Sequence, residues 1–163
     1  MTTTANAIIG ASWDIAAADR VSGLYDAEPH LVARIAEQVA GLKTVGPASM
    51  VDGSTVSLSK LHPLALIRPV GGSREIEGDG YGFLTISQTW AVLLQVAHVL
   101  NEQESAAYVA GPLAVGIIRA VHGWTPGDPF GPFALDGHLD QIIEPGRATF
   151  EIRFTVPVAI STP

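Results

Sequence analysis

No cysteine occurs anywhere in the chain, and that absence removes disulfide staples, thiolate metal sites and thiol nucleophiles together. It also suits a protein that meets both reducing and oxidising surroundings. Charge is scarce as well: Asp, Glu, Lys and Arg make up 15% of the residues, against the charge-rich make-up of disordered chains. The nine basic residues are scattered singly under a formal net charge of −7, which argues against an electrostatic grip on nucleic acid. No apolar run approaches the roughly 20 residues of a bilayer-spanning helix, so no membrane partner is expected. The opening Met1-Thr-Thr-Thr-Ala-Asn6 lacks the basic region of a secretory signal, and a soluble, cytoplasmic protein is expected.

What remains is apolar. Hydrophobic residues reach 47% of 163, enough for one well-packed domain. A mean hydropathy of +0.30 is high for a chain this poor in charge, and points to apolar surface covered by a partner, the alternative being a well-packed monomer.

Residues 1–25 are rich in Ala and Thr with weak periodicity and read as an arm or irregular lead-in. Residues 26–163 read as a single domain. Asp26 suits a helix N-cap, with Glu28 and Pro29 in the first turn. Leu31, Ile35, Val39 and Leu42 then recur on one face, so a helix is expected over 27–43, with Gly46-Pro47 beyond its end. Within 44–62 a short strand is conceivable at Val56-Ser57-Leu58. A strand bracketed by prolines follows at 62–70. A second, long strand runs over 86–96, with Ile86, Trp90, Val92, Leu94 and Val96 on one face and Gln88 interrupting it. Together they predict a hairpin over 62–97 with a long polar tip at 71–82, where five glycines and three acids leave little to bury. Gly72, Arg74, Glu75, Glu77, Asp79 and Tyr81 in that tip are the candidate assembly residues, mobile until a neighbour orders them.

A second helix is expected over about 102–122 with Ser105 as a cap and a break at Gly111-Pro112, because proline lacks an N–H and clashes with the preceding turn. Gly123 stops it. Trp124 and Pro126 head a rigid connection and are the expected structural anchor, with Trp124 packed on the sheet. A last hairpin spans 133–160 and turns at Glu144-Pro-Gly146. In its second arm Phe150, Ile152, Phe154, Val156, Val158 and Ile160 alternate with Thr149, Glu151, Arg153 and Thr155, so one face is buried. Pro157 marks that strand's end as an edge or an overhang. The fold class is α+β: two main helices on one mostly antiparallel sheet, as a two-layer sandwich.

Catalytic patterns are missing. None of His30, His62, His98, His122 and His138 is paired at i+3 or i+4 with another His or a carboxylate inside an expected helix, so no metal is expected. Gly71-Gly-Ser and Gly78-Asp-Gly-Tyr-Gly82 lack the Lys-Ser/Thr of a phosphate loop, and Glu75, Glu77 and Asp79 lack the distal Glu of a calcium loop. His138 and Asp140 share a strand face by alternation and are the only acid–base candidates. They read more simply as a solvated polar pair. No catalytic residue and no cofactor is expected.

Four stretches carry a family resemblance. They are the helix His30-Leu-Val-Ala-Arg-Ile-Ala-Glu-Gln-Val-Ala-Gly-Leu42 and the Pro-led strand His62-Pro-Leu-Ala-Leu-Ile-Arg-Pro-Val70. The long strand Ser87-Gln-Thr-Trp-Ala-Val-Leu-Leu-Gln-Val-Ala97 and the helix end His122-Gly-Trp-Thr-Pro126, followed by a Pro/Gly connection and a terminal amphipathic strand, complete the set. In this order, over about 28–160, they resemble the bacteriophage tail terminator, or tail completion, family of Mu-like and related long-tailed phages. The resemblance implies a structural subunit and no enzyme. It implies a homo-oligomer, a hexameric ring that caps the tail tube, stops its polymerisation and joins the head–neck connector. The implied partners are the tail tube protein and the connector, with DNA only as passing cargo. The implied location is the head-proximal end of the virion tail, after assembly in the host cytoplasm. An acidic ring suits that passage, since it repels phosphates. The alternatives are another virion subunit, such as a tube or head–tail stopper protein, or a small α+β hydrolase.

Overall fold

The computed structural model describes residues 25–50, 61–78, 83–98 and 105–161. In chain order its elements are helix α1 (Ala27–Gln38), strand β1 (Thr44–Pro47), a 3-10 turn (Ala48–Met50), β2 (Leu64–Gly78), β3 (Phe83–His98), helix α2 (Ala106–Val121), β4 (Ala134–Glu144) and β5 (Gly146–Ser161). Among the described residues they make one five-stranded sheet in the order β1-β2-β3-β5-β4. Only the β1–β2 pair is parallel. Both helices lie on one face, so the architecture is the expected α+β two-layer sandwich.

The alternation in β3 and β5 builds the core. Their antiparallel register sets Trp90 opposite Phe154, Val92 opposite Ile152 and Leu94 opposite Phe150, while Ile67 and Ala65 of β2 extend these rows. A side-chain period of two sends every member of these rows to the same face, beneath the helices. Trp90, Val92, Ile152 and Phe154 are fully buried there, each worth roughly 1.5–3 kcal/mol or more by area removed from water. Gln88 does interrupt the row, and is buried opposite Val156.

α1 buries Ala27, Leu31 and Ile35 at helical spacing, with Val39 just past its end. The expected helix to 43 is too long: it stops at Gln38, and Val39 is already extended. The chain must straighten here because 44–47 pair with Leu64 to Ile67 as β1. That strand, with its Gly and Pro, was not expected, and Gly46-Pro47 belongs to it. The strand expected at Val56-Ser57-Leu58 lies outside the described residues.

Three further expectations are corrected. β2 does not end near residue 70 but runs to Gly78, so the long tip becomes ladder. The pairing absorbs the surplus in two bulges, between Val70 and Arg74 and between Glu75 and Glu77. α2 starts at Ala106, with the Ser105 side chain accepting a hydrogen bond from the Tyr108 N–H at 3.3 Å, and it continues through Pro112 without a break. The residue before a proline suffers through its Cβ, and here that residue is Gly111, which has none. Of the two alternatives for Pro157 the overhang is corrected, because β5 stays paired with β3 to Ser161, and the edge holds. Beyond Thr155, however, β4 has not yet begun. The outer side of β5 is bordered there by the connection, with the Gly131 N–H donating to the Pro157 carbonyl at 2.8 Å. The missing proline N–H therefore costs no bond to β3.

Gly123 follows α2 with φ of +78°, the expected stop. The last hairpin turns at Pro145-Gly146, where φ of +86° at Gly146 suits glycine. α1 and α2 approach closely at Gly116, where a Cβ would stand 3.2 Å from Val39 Cγ1.

Candidate functional site

The connection after α2 is tied at both ends. The Gly123 N–H donates to the Phe133 carbonyl at 2.7 Å and the Phe133 N–H to the Trp124 carbonyl at 2.8 Å. The Trp124 ring stacks on Phe133 with centroids 5.7 Å apart, and the Arg34 guanidinium of α1 covers it at 5.4 Å. Arg34 Nε also donates to the Ala120 carbonyl at 2.9 Å. Trp124 is thus half-buried between α1 and the start of β4, packed against the core. Pro126 sits in the loop that Thr125 closes, its hydroxyl donating to the Phe130 carbonyl and accepting from the Gly127 N–H, both at 3.1 Å.

The sheet's open face is charged. Arg68 of β2 and Arg153 of β5 converge on Glu151, at 3.0 Å and 2.5 Å, and Arg153 reaches Asp140 of β4 at 3.7 Å. Partial burial pushes the Glu151 carboxyl up, but the hydrogen bonds and charges of Arg153 and Arg68 outweigh it and hold the group below the usual carboxylate range. Beside this network runs an open groove of about 530 Å³, lined among others by Arg68, Leu93, Ile142, Glu144 and Arg147. Glu144 and Arg147 pair across the hairpin end at 2.5 Å. Burial lowers the His62 imidazole, the neighbouring Gln95 side chain acts against this, and the charge of Arg147 lowers it further.

The helix face is covered unevenly. α1 packs on β1 and β2, and α2 on β3 and β5. β4 is left outside the helix layer and, among the described residues, has no partner on its outer edge. Leu139 and Ile143 on its helix side are 62% and 56% exposed, and Ile142 on its open side is 60% exposed. An edge strand with apolar side chains on both faces is a template for association. α2 adds to this surface: it has one charged residue, Arg119, and exposes Tyr108 at 72% and Val115 at 46%. A helix apolar all round is normally buried.

The expected assembly residues fall as follows. Gly72, Arg74, Glu75 and Glu77 are strand residues of β2, whereas Asp79 and Tyr81 lie outside the described residues. His138 is a residue of β4 between Leu135 and Leu139, where the pairing with β5 shifts register. Asp140 faces Arg153. Among the described residues no group of three His, Asp or Glu side chains is placed to hold a metal. Sequence reasoning missed Arg34 and the exposed apolar residues of β4. Their signal was Ile142-Ile143, adjacent and therefore on opposite faces of a strand.

A family model described as phage tail terminator protein matches residues 22–162. The chain belongs to the phage tail terminator family. No curated protein matches it. Family membership gives the chain a structural role in a phage tail. No helix among the described residues is long and apolar enough to cross a membrane.

Proposed function

We propose that this chain is the subunit of a homo-oligomeric ring, of about six copies, that closes the head-proximal end of the tail tube, stops its polymerisation and receives the head–neck connector. The family match over residues 22–162 carries this reading. The sheet supports it physically. Among the described residues it is open at β1 on one side and at β4 on the other. A ring of head-to-tail copies needs two different patches related by a rotation that closes. The net charge of −7 fits a lumen that DNA traverses without adhering.

The test adds the purified chain to tube protein as it polymerises and measures tube length by electron microscopy. The expected result is a ring at one tube end and shortened, narrowly distributed lengths. Uncapped ends and unchanged lengths contradict the reading.

A further inference from the structure

The outer edge of β4 is guarded at both ends and open between them. Upstream, its pairing with β5 shifts register between Leu135 and Leu139, and downstream Pro145 lacks an N–H. Bulges, prolines and lysines are the devices that keep edge strands from pairing. The window Leu139-Asp-Gln-Ile-Ile-Glu144 between them has no proline, glycine or lysine. Among the described residues no strand pairs with its outer side, and its apolar residues Leu139, Ile142 and Ile143 are all exposed. Leu139, Gln141 and Ile143 stand on the helix face, opposite Ile152, Phe150 and Ala148. Asp140, Ile142 and Glu144 stand on the open face.

We propose that this window pairs antiparallel with the same window of a second copy of the chain, about a two-fold axis through Gln141. The ladder itself needs only main chain, so the side chains that meet across it decide whether the strand fits its own copy. A two-fold axis perpendicular to the sheet keeps both helix faces on one side, so each residue stands opposite one of its own face. Three central registers satisfy this. Centring on Asp140 opposes the two Asp140 side chains, and centring on Ile142 opposes Asp140 to Glu144 of the second copy. Both set like charges against each other. Centring on Gln141 opposes Leu139 to Ile143 of the second copy, twice over. It opposes Asp140 to Ile142 of the second copy, with Arg153 still beside Asp140. The strand is therefore complementary to itself in one register. Three apolar side chains and six residues of main chain on each copy bury less than the roughly 1,600 Å² of a standard interface, so the pair is reversible. An isologous contact of this kind is not one of the head-to-tail joints of a ring. The inference goes beyond the ring: it concerns the chain free of a tail, and holds whether or not a ring forms.

Because the chain has no cysteine, a single engineered one has no native competitor. Across the axis the two Cα atoms of residue 141 stand about 4.5–5.5 Å apart, within disulfide reach. Those of residue 140 stand about 8 Å apart and those of residue 139 about 14 Å, both beyond it. Under mild oxidation with diamide, Gln141→Cys should form a disulfide-linked dimer roughly tenfold faster than Asp140→Cys or Leu139→Cys. Each rate is read on non-reducing gels and divided by that thiol's reactivity towards a small maleimide. Equal rates for the three, or no linked dimer from Gln141→Cys, overturn the proposal. Sedimentation of the parent chain should show a monomer–dimer equilibrium, weakened roughly tenfold by Leu139→Lys with Ile143→Lys, which oppose like charges across the axis. Both positions are exposed, so the variant keeps its fold. A dimer that persists in the lysine variant assigns the contact to another surface and overturns the proposal. So does a parent chain that gives only monomers or closed rings at millimolar concentration, which leaves β4 to a different chain.

Discussion

β4 and β5 are two arms of one hairpin, yet they use apolar residues for different ends. In β5 the apolar positions fall on one face, and Ile152, Phe154, Val156 and Val158 are all buried under the helices. In β4 they fall on both faces, and Leu139, Ile142 and Ile143 are all exposed. The first pattern is explained by the fold of a single chain. The second is not, because hydrophobic area left in water stabilises nothing until another segment covers it. Hydrophobicity alone therefore does not identify a core, and the position of a strand in the sheet decides what its side chains do.

Mutations should separate the two arms. Phe154→Ala, at the centre of β5, removes a fully buried ring and should destabilise the chain by about 3–5 kcal/mol, read as the midpoint shift in urea unfolding. Trp124→Ala removes the stack on Phe133 and the Arg34 contact but only a half-buried ring, so about 2 kcal/mol is expected by the same measurement. A loss as large as that of Phe154→Ala would place Trp124 in the core proper.

Glu151→Gln weakens the network on the open face, for about 1 kcal/mol near neutral pH, since Arg68 and Arg153 remain partly exposed. The Glu151 carboxyl is held low in the folded chain, so its stabilisation is present above the ordinary carboxylate value of about 4.3. It fades as pH falls through the folded value. Thermal unfolding across the acid range should accordingly show a shallower slope for the Gln variant than for the parent. Leu139→Ser with Ile142→Ser should move stability by only about 0.5 kcal/mol per site, the range of ordinary surface changes. The same pair should nevertheless impair tail completion in a complementation assay. Wild-type completion by the folded variant would reduce β4 to an inert edge.

Much of the fold was legible because β3, β5 and α1 obey one period each. Ile86 to Val96 and Phe150 to Ile160 repeat every second residue, and Leu31, Ile35 and Val39 repeat as a helix does. What could not be read were contests between local and distant preferences. Thr44-Val-Gly-Pro47 has two residues that disfavour strands, and only pairing with Leu64 to Ile67 makes it one. Gly71-Gly72 reads as a turn locally, yet bulges let it remain in the ladder. Pro112 breaks most helices, and survives beside Gly111. The candidate surface was legible only in part. Which strand lies at the edge is a property of strand order, and Ile142-Ile143 could be read as an exposed pair only once β4 was placed there.

The fate of tails made without this chain tests the terminator role most directly. Electron microscopy of lysates from a phage in which the gene is interrupted should show tubes of uncontrolled length, free of heads, with restoration to uniform head-bearing tails when the chain is supplied in trans. Tails of normal length joined to heads in its absence would contradict the terminator role.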